Sequence, residues 1–132
     1  MKLILVGILL FFSLMLSAQK KVENLHSVNL SKINLNRVLR LKRPLRFNGD
    51  NKHQLQLDDF TRRLFIVFRH DMPRMYKGEV ICPTTKDYFG TEWKTFMMSK
   101  PHRKVLMSRG IKYIVISIFE LDDRAYCAMR VW

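Results

Sequence analysis

The segment IKYIVISIFELDDRAYCAMRVW, residues 111–132, decides the fold of this chain. Its two halves are rich in β-branched and aromatic residues and flank Asp122-Asp123, a pattern typical of a β-hairpin with strands at about 111–121 and 124–132. A two-residue loop at the aspartates places three apolar pairs on one face, Ile114/Val131, Ile116/Met129 and Ile118/Cys127. A shift by one residue would mix both faces, so the pattern predicts this register.

The opposite face of the hairpin is predicted to carry aromatic side chains around one cation, Arg130. Aromatic rings beside a cation can stack against bases or sugar rings, which makes this face a candidate binding surface. The alternative is that these rings form cross-strand pairs that stabilise the sheet, under a helix or loop that covers them. The candidate residues are Tyr113, Phe119, Tyr126 and Trp132.

Shorter patterns upstream predict the other elements of the domain. The expected strands are 53–57 (HQLQL), 62–70 (RRLFIVFRH) and 79–82 (EVIC), and the expected helices are 91–98 and 99–110. Alternating or continuous apolar residues indicate the strands, and apolar residues at helical spacing indicate the helices. The sequence therefore predicts a small single α+β domain over residues 19–132. It would have an antiparallel sheet of about four to six strands and one or two short helices.

The first residues have the layout of a secretory signal peptide. Lys2 precedes an uncharged apolar run from residue 3 to 16, and the small or polar residues Ser17, Ala18 and Gln19 follow. The run is shorter than the ~20 residues that a bilayer crossing needs. We therefore predict that residues 1–18 are a signal peptide and that the protein is exported, to the periplasm or the outside of the cell. The alternative is a membrane-anchored accessory protein that retains residues 3–16 as its anchor.

The charge balance predicts an anionic partner. The chain has 24 lysines and arginines against 11 carboxylates, a formal net charge of +13. Such a balance favours lipid head groups, acidic polysaccharide, nucleic acid or an acidic protein, without choosing among them.

Basic residues are concentrated in RVLRLKRPLRF, residues 37–47, which contains no carboxylate. Its leucines are spaced too evenly for a disordered tail, so we expect the stretch to pack its apolar side chains on the domain and to present its cations outward. Together with two basic residues further along, it gives the candidate anion contacts: Arg37, Arg40, Arg43, Arg46, Arg103 and Arg130.

The chain contains two cysteines, Cys82 and Cys127. In an oxidising compartment they are candidates for a disulfide, and the alternative is two buried free thiols. Because Cys127 falls on the apolar face of the predicted hairpin, a bridge requires the 79–82 strand to lie beside it.

Motifs for catalysis and for cofactors are missing. The four histidines have no metal-ligand spacing, there is no Gly-x-Ser-x-Gly elbow, and the five glycines are scattered. We therefore expect no metal, no cofactor and no catalytic residue, and interpret the chain as a non-catalytic binding or accessory module. The rival class is a secreted metal-independent ribonuclease or toxin that uses His70 or His102, because small basic domains can combine an acid, a base and a cation near phosphate.

Overall fold

The C-terminal hairpin forms the centre of the sheet in the computed structural model of the protein, which describes residues 1–132 except for the side chain of Leu16. The strands are β1 (Lys20–Lys21), β2 (Arg46–Phe47), β3 (Gly78–Thr84), β4 (Tyr113–Leu121) and β5 (Arg124–Val131). The helices are α1 (Lys2–Ala18), α2 (His26–Leu39), α3 (Asn51–Arg63), α4 (Glu92–Met98) and α5 (Lys100–Leu106), with a short 3₁₀ turn at Lys86–Tyr88.

The predicted hairpin register is confirmed. Strands β4 and β5 pair antiparallel, with Leu121 opposite Arg124 and Ile114 opposite Val131. Asp122 turns the chain with φ 55°, a conformation that aspartate tolerates better than most residues other than glycine. The strand order is β1-β4-β5-β3, all antiparallel, and the two-residue β2 runs parallel to the start of β4.

Helices cover both faces of the sheet. The face that carries Ile114, Ile116 and Ile118 packs against α2, α4 and α5, and it forms the larger core. The other face packs against α3, whose apolar side chains contact strand residues Ile81, Val115 and Ala128. The α+β class, the single domain and the sheet are as predicted. There are five helices rather than the predicted one or two. The three additional helices are residues 2–18, 26–39 and 51–63.

The predicted strand at 53–57 was wrong. The segment lies in α3, where Asp50 caps the helix by accepting a hydrogen bond from the backbone N–H of His53 at 2.9 Å. The local alternation of leucine and glutamine suggested a strand. However, Leu57, Phe60 and Leu64 follow helical spacing, and all three are buried against the sheet.

The predicted central strand at 62–70 was also wrong. Arg62 and Arg63 form the last turn of α3, and residues 64–77 run as turns and loop to the start of β3. Leu64 and Phe65 are buried, whereas Ile66 and its two successors point into solvent. An apolar run of this length does not by itself distinguish a central strand from the end of a helix.

Helix α1 extends from the domain as a largely exposed apolar element. Met15, near its end, packs against a cluster formed by Phe65, Phe119 and Leu121. In the described part of the chain, no helix combines the length and hydropathy of a membrane crossing. The assignment of residues 1–18 as a signal peptide remains a prediction.

Candidate functional site: a basic cleft

Burial makes the surface of the domain more positive than the composition suggests. Three of the 11 carboxylates are buried, Asp58, Glu79 and Glu92, but only two of the 24 cations, Arg37 and Arg130. Since each buried carboxylate is occupied by internal partners, the cations at the surface have few acidic neighbours to neutralise them.

A basic cleft of about 480 Å³ lies at one end of the sheet. Its lining residues come from the chain after α2, the residue before β3, helix α5 and the connection from α5 to β4. They are Lys42, Lys77, Lys104, Val105, Met107, Ser108, Arg109 and Ile111. Four of the eight are cations and none is a carboxylate. We call these residues the basic cleft.

Arg37 holds the wall of the basic cleft in place. Its Nη1 atom donates to the carbonyl oxygens of Leu106 at 2.6 Å and Ser108 at 2.9 Å, and its Nε atom donates to that of Arg43 at 2.7 Å. The side chain thereby joins the end of α2 to the end of α5. Burial lowers the pKa of Arg37, but arginine keeps its charge in proteins.

The cations of the basic cleft are available to a ligand. Within the chain as described, none of the four forms an ion pair, although Lys77 Nζ donates to the carbonyl oxygen of Gly110 at 2.6 Å. The buried side chains of Met107 and Ile111 form an apolar floor. Ammonium and guanidinium groups around such a floor can bind phosphate, sulfate or carboxylate groups through charge-assisted hydrogen bonds.

Two of the predicted anion contacts are not available at the surface. Arg37 is 1% exposed and supports the cleft wall, and Arg130 is 2% exposed. Arg130 Nε donates to Glu79 Oε2 at 2.8 Å, and its guanidinium lies over the rings of Phe60 and Tyr76. These two arginines are therefore corrected from contact residues to structural ones.

The other four predicted anion contacts keep some exposure. Arg40, Arg43 and Arg46 are exposed, and Arg103 is half-buried, with Nη1 donating to the carbonyl oxygen of Met97 at 2.9 Å. Arg43 directly follows Lys42 of the basic cleft. A contact of these residues with an anion remains a prediction.

The aromatic face of the hairpin is covered by α3 and the loop that follows it. Phe119 is 1% exposed beneath the guanidinium of Arg62, whose Cζ lies 4.8 Å from the ring centroid. Tyr126 packs edge-on against Phe65 at 4.7 Å. Phe119 and Tyr126 therefore fit the alternative interpretation, in which the rings are covered and stabilise the sheet.

Tyr113 and Trp132 lie at the rim of the covered face and are half-buried. Trp132 stacks on His53 at 4.4 Å and contacts Tyr113 at 5.7 Å and Tyr76 at 5.3 Å. His53 Nδ1 and the Tyr76 hydroxyl are 2.7 Å apart and share a hydrogen bond. The rings thus contact one another and leave little area for a stacked ligand.

His70, one of the two histidines considered for a ribonuclease, lies beside the buried pair of Glu79 and Arg130. The Nδ1 atom of His70 lies 3.0 Å from Glu79 Oε1, which also accepts from the backbone N–H of Asp71 at 3.2 Å. Glu79 Oε2 is bound to Arg130. Because both carboxylate oxygens are occupied and the Glu79 side chain is 2% exposed, this carboxylate anchors the 64–77 loop.

His102, the other histidine considered for catalysis, lies on α5 against the ring of Phe96, 5.3 Å away. Burial, and secondarily the charge of His70, lowers the pKa of His102. Its Nδ1 atom is buried without a hydrogen-bond partner among the described residues.

Cys82 and Cys127 lie directly opposite each other on β3 and β5, which confirms that the 79–82 strand runs beside the hairpin. Of the two alternatives, the structure has the free thiols: Cys82 and Cys127 are both buried and not bonded to each other. Burial, with hydrogen bonding to Cys82, raises the pKa of the Cys127 thiol well above its ordinary value, so this thiol is a poor nucleophile.

No group of three or more potential metal ligands occurs among the described residues. The basic cleft itself was not found from the sequence, because its cations are distributed over positions 42 to 109 and converge only when the sheet forms. The one available signal was that the basic residues after α5, Arg109 among them, have no carboxylate nearby in the chain.

No protein-family model and no curated protein sequence matches the chain. Among solved structures, it is similar to an outer surface protein from Borrelia burgdorferi, with a TM-score of 0.56 and 9% sequence identity. The match covers 85% of this chain and 96% of that one. At this identity the likeness shows a shared fold.

Proposed function

We propose that the protein is an exported, non-catalytic binding module that holds an anionic group of its partner in the basic cleft. The observation that carries the proposal is the convergence of Lys42, Lys77, Lys104 and Arg109 around one concavity whose lining contains no carboxylate. Like charges repel one another, so a cluster of this kind is costly unless an anion neutralises it.

The volume of the cleft limits the size of the anionic group that it can hold. A volume of about 480 Å³ accommodates one or a few linked phosphate, sulfate or carboxylate groups, rather than a long stretch of duplex nucleic acid. The partner would therefore present a compact anionic group, as a phosphorylated or acidic polysaccharide does. An exported location is supported by the layout of residues 1–18 and agrees with the name of the structural neighbour, an outer surface protein.

Tripolyphosphate is a suitable probe, because its linked phosphates match the size of the cleft. Isothermal titration of the full chain should give saturable binding that weakens as the salt concentration rises. The triple variant Lys42→Gln/Lys104→Gln/Arg109→Gln should lose at least about tenfold in affinity, if each cation contributes roughly 0.5–1 kcal/mol.

The matched control removes three exposed cations outside the cleft, Lys32→Gln/Lys94→Gln/Arg124→Gln. This control lowers the net charge by the same amount as the triple variant of the cleft. Because its three cations lie outside the cleft, its affinity for tripolyphosphate should change little if the cleft is the site. Equal losses in the two variants would mean that only overall charge matters, and absence of saturable binding would refute the proposal.

A further inference from the structure

A second surface of the molecule, the loop between α3 and β3, exposes several apolar side chains close together in the chain. Its exposed apolar residues are Ile66 (42%), Val67 (52%), Phe68 (50%), Met72 (38%) and Met75 (48%). Contiguous exposed apolar residues of this kind mark an interaction site. We call residues 66–75 the apolar loop.

The apolar loop is fixed in the exposed position by hydrogen bonds. At its start, the backbone N–H groups of Ile66 and Val67 donate to the carbonyl oxygen of Arg63 at 3.0 and 2.9 Å. At Asp71, the backbone N–H donates to Glu79, and the carbonyl oxygen accepts from Arg130 at 3.1 Å. The buried ion pair of Glu79 and Arg130 thus fixes the backbone of the loop at Asp71.

Two arginines, Arg63 and Arg69, lie beside this hydrocarbon. A pocket of about 210 Å³ is lined by the apolar side chains of Phe60, Ile66 and Val67 and by the cations Arg63 and Arg69, with Asp71 as its one carboxylate. Arg63 also pairs with Asp59 at 3.3 Å, but both partners are largely exposed, and such a pair is weak. Apolar side chains beside two arginines suit the boundary between acyl chains and anionic head groups.

The C-terminal end of the apolar helix α1 lies beside this loop. Met15 of α1 packs on the cluster that contains Phe65 and Phe119, and Tyr126 packs against the same cluster. The ring of Phe68 lies 5.5 Å from the ring of Tyr126. The loop and the helix therefore leave the domain at neighbouring positions.

We propose that the apolar loop docks the domain on an anionic lipid bilayer, with Ile66, Val67 and Phe68 entering the acyl boundary and Arg63 and Arg69 contacting lipid phosphates. A second copy of this chain is a less suitable partner for the apolar loop, because its surface is equally cationic and the like charges would repel each other. The proposal goes beyond the function of the basic cleft, since it concerns a different surface and different residues.

The test places an environment-sensitive nitrobenzoxadiazole label at position 67 of the full chain through Val67→Cys. Cys82 and Cys127 are buried, so the new thiol is the accessible one. With vesicles of phosphatidylcholine and phosphatidylglycerol, we expect a severalfold rise in label emission, a shift to the blue, and quenching by nitroxide-labelled lipid. Vesicles of phosphatidylcholine alone should give a smaller response.

A label at position 39, introduced through Leu39→Cys, is the matched control. Leu39 is also an exposed apolar residue beside an arginine, but it lies on α2, on the other side of the sheet. Its label should remain in water on the same vesicles. Equal responses at the two positions, or a water-like label at position 67, would overturn the proposal.

Two further variants of the position 67 protein separate the sources of binding. Arg63→Gln/Arg69→Gln should weaken the preference of the label response for anionic vesicles, because the head-group contacts of the loop are lost, and an unchanged preference would contradict the proposed role of these arginines. The triple variant of the basic cleft should leave the label response intact. A response lost only in that variant would assign lipid binding to the cleft and contradict docking by the loop.

Discussion

Arg37 and Leu106 lie 69 positions apart in the chain, and Arg37 Nη1 donates a hydrogen bond of 2.6 Å to the Leu106 carbonyl oxygen. This contact is how a helix near the start of the domain shapes the wall of the basic cleft. The arginine that looked like an anion contact in the sequence instead positions residues that can make such contacts.

Replacing Arg37 tests this positioning role. Arg37→Met keeps the aliphatic volume but removes the three hydrogen bonds to carbonyl oxygens, so we expect a loss of roughly 2–4 kcal/mol in the free energy of unfolding. Urea denaturation measures the loss. The control Arg40→Met alters an exposed arginine that bonds only Asn36, and it should change stability by no more than about 0.5 kcal/mol. Similar values for the two variants would show that Arg37 is not a structural link.

The buried pair of Glu79 and Arg130 gives a second prediction. Arg130→Ala leaves a buried carboxylate without its main partner, so it should cost roughly 3–5 kcal/mol in the free energy of unfolding. The double variant Glu79→Leu/Arg130→Met removes both charges and should cost less than the single one. Denaturant unfolding of both variants decides the matter, and a larger cost for the double variant would contradict this description of the pair.

A glycine in place of Leu41 is predicted to stabilise the end of α2. Leu41 has φ 55°, the N–H of Lys42 donates to the carbonyl oxygen of Arg37, and the N–H of Leu41 donates to that of Val38. This is a Schellman motif with leucine where glycine is usual. Because Leu41 is 93% exposed and little packing is lost, Leu41→Gly should raise the unfolding free energy by about 1 kcal/mol.

The control for this prediction is Leu39→Gly, two positions earlier. Leu39 is also exposed, but it is the last residue of α2 and has no positive φ, so glycine there should lower stability by about 0.5 kcal/mol. Changes of the same sign in the two variants, measured by thermal or urea unfolding, would rule out backbone strain at Leu41.

Stability should fall on acidification because of two half-buried histidines, His26 and His102. Burial lowers the pKa of both His26 and His102 from the ordinary value of 6.5, so the folded state binds protons less readily than the unfolded state. Stability from these groups is complete above pH 6.5 and is lost as the pH falls from there toward the lowered values. Melting temperatures between about pH 7.5 and 5 should fall less for His102→Gln than for the natural chain. An equal fall would assign the effect to other groups.

The hairpin could be predicted because its loop and its one apolar face determine a single register. Helix α3 was missed because Leu55 and Leu57 alternate like strand residues, although Leu55 is exposed and only Leu57 faces the sheet. The longer spacing from Leu57 to Phe60 and Leu64, with Asp50 as a cap, contained the correct signal. A local pattern of about five residues is too short to distinguish the repeat of a helix from the two-residue alternation of a strand.

The basic cleft lay beyond prediction for a different reason. The composition indicated an anionic partner. However, the sequence does not show which arginines of residues 37–47 are accessible, and only the fold buries Arg37 and exposes Arg40. Lys77 and Lys104 become neighbours through tertiary packing of α5 beside β3. No short-range pattern encodes that arrangement.

The most direct test of anion binding in the basic cleft is an amide chemical-shift titration of the ¹⁵N-labelled full chain with tripolyphosphate. We expect saturable shifts concentrated at Lys42, Lys77, Lys104 and Arg109, with little change at exposed cations elsewhere, such as Arg124. Shifts spread evenly over the exposed cations, or shifts that leave the basic cleft unchanged, would contradict the proposed function.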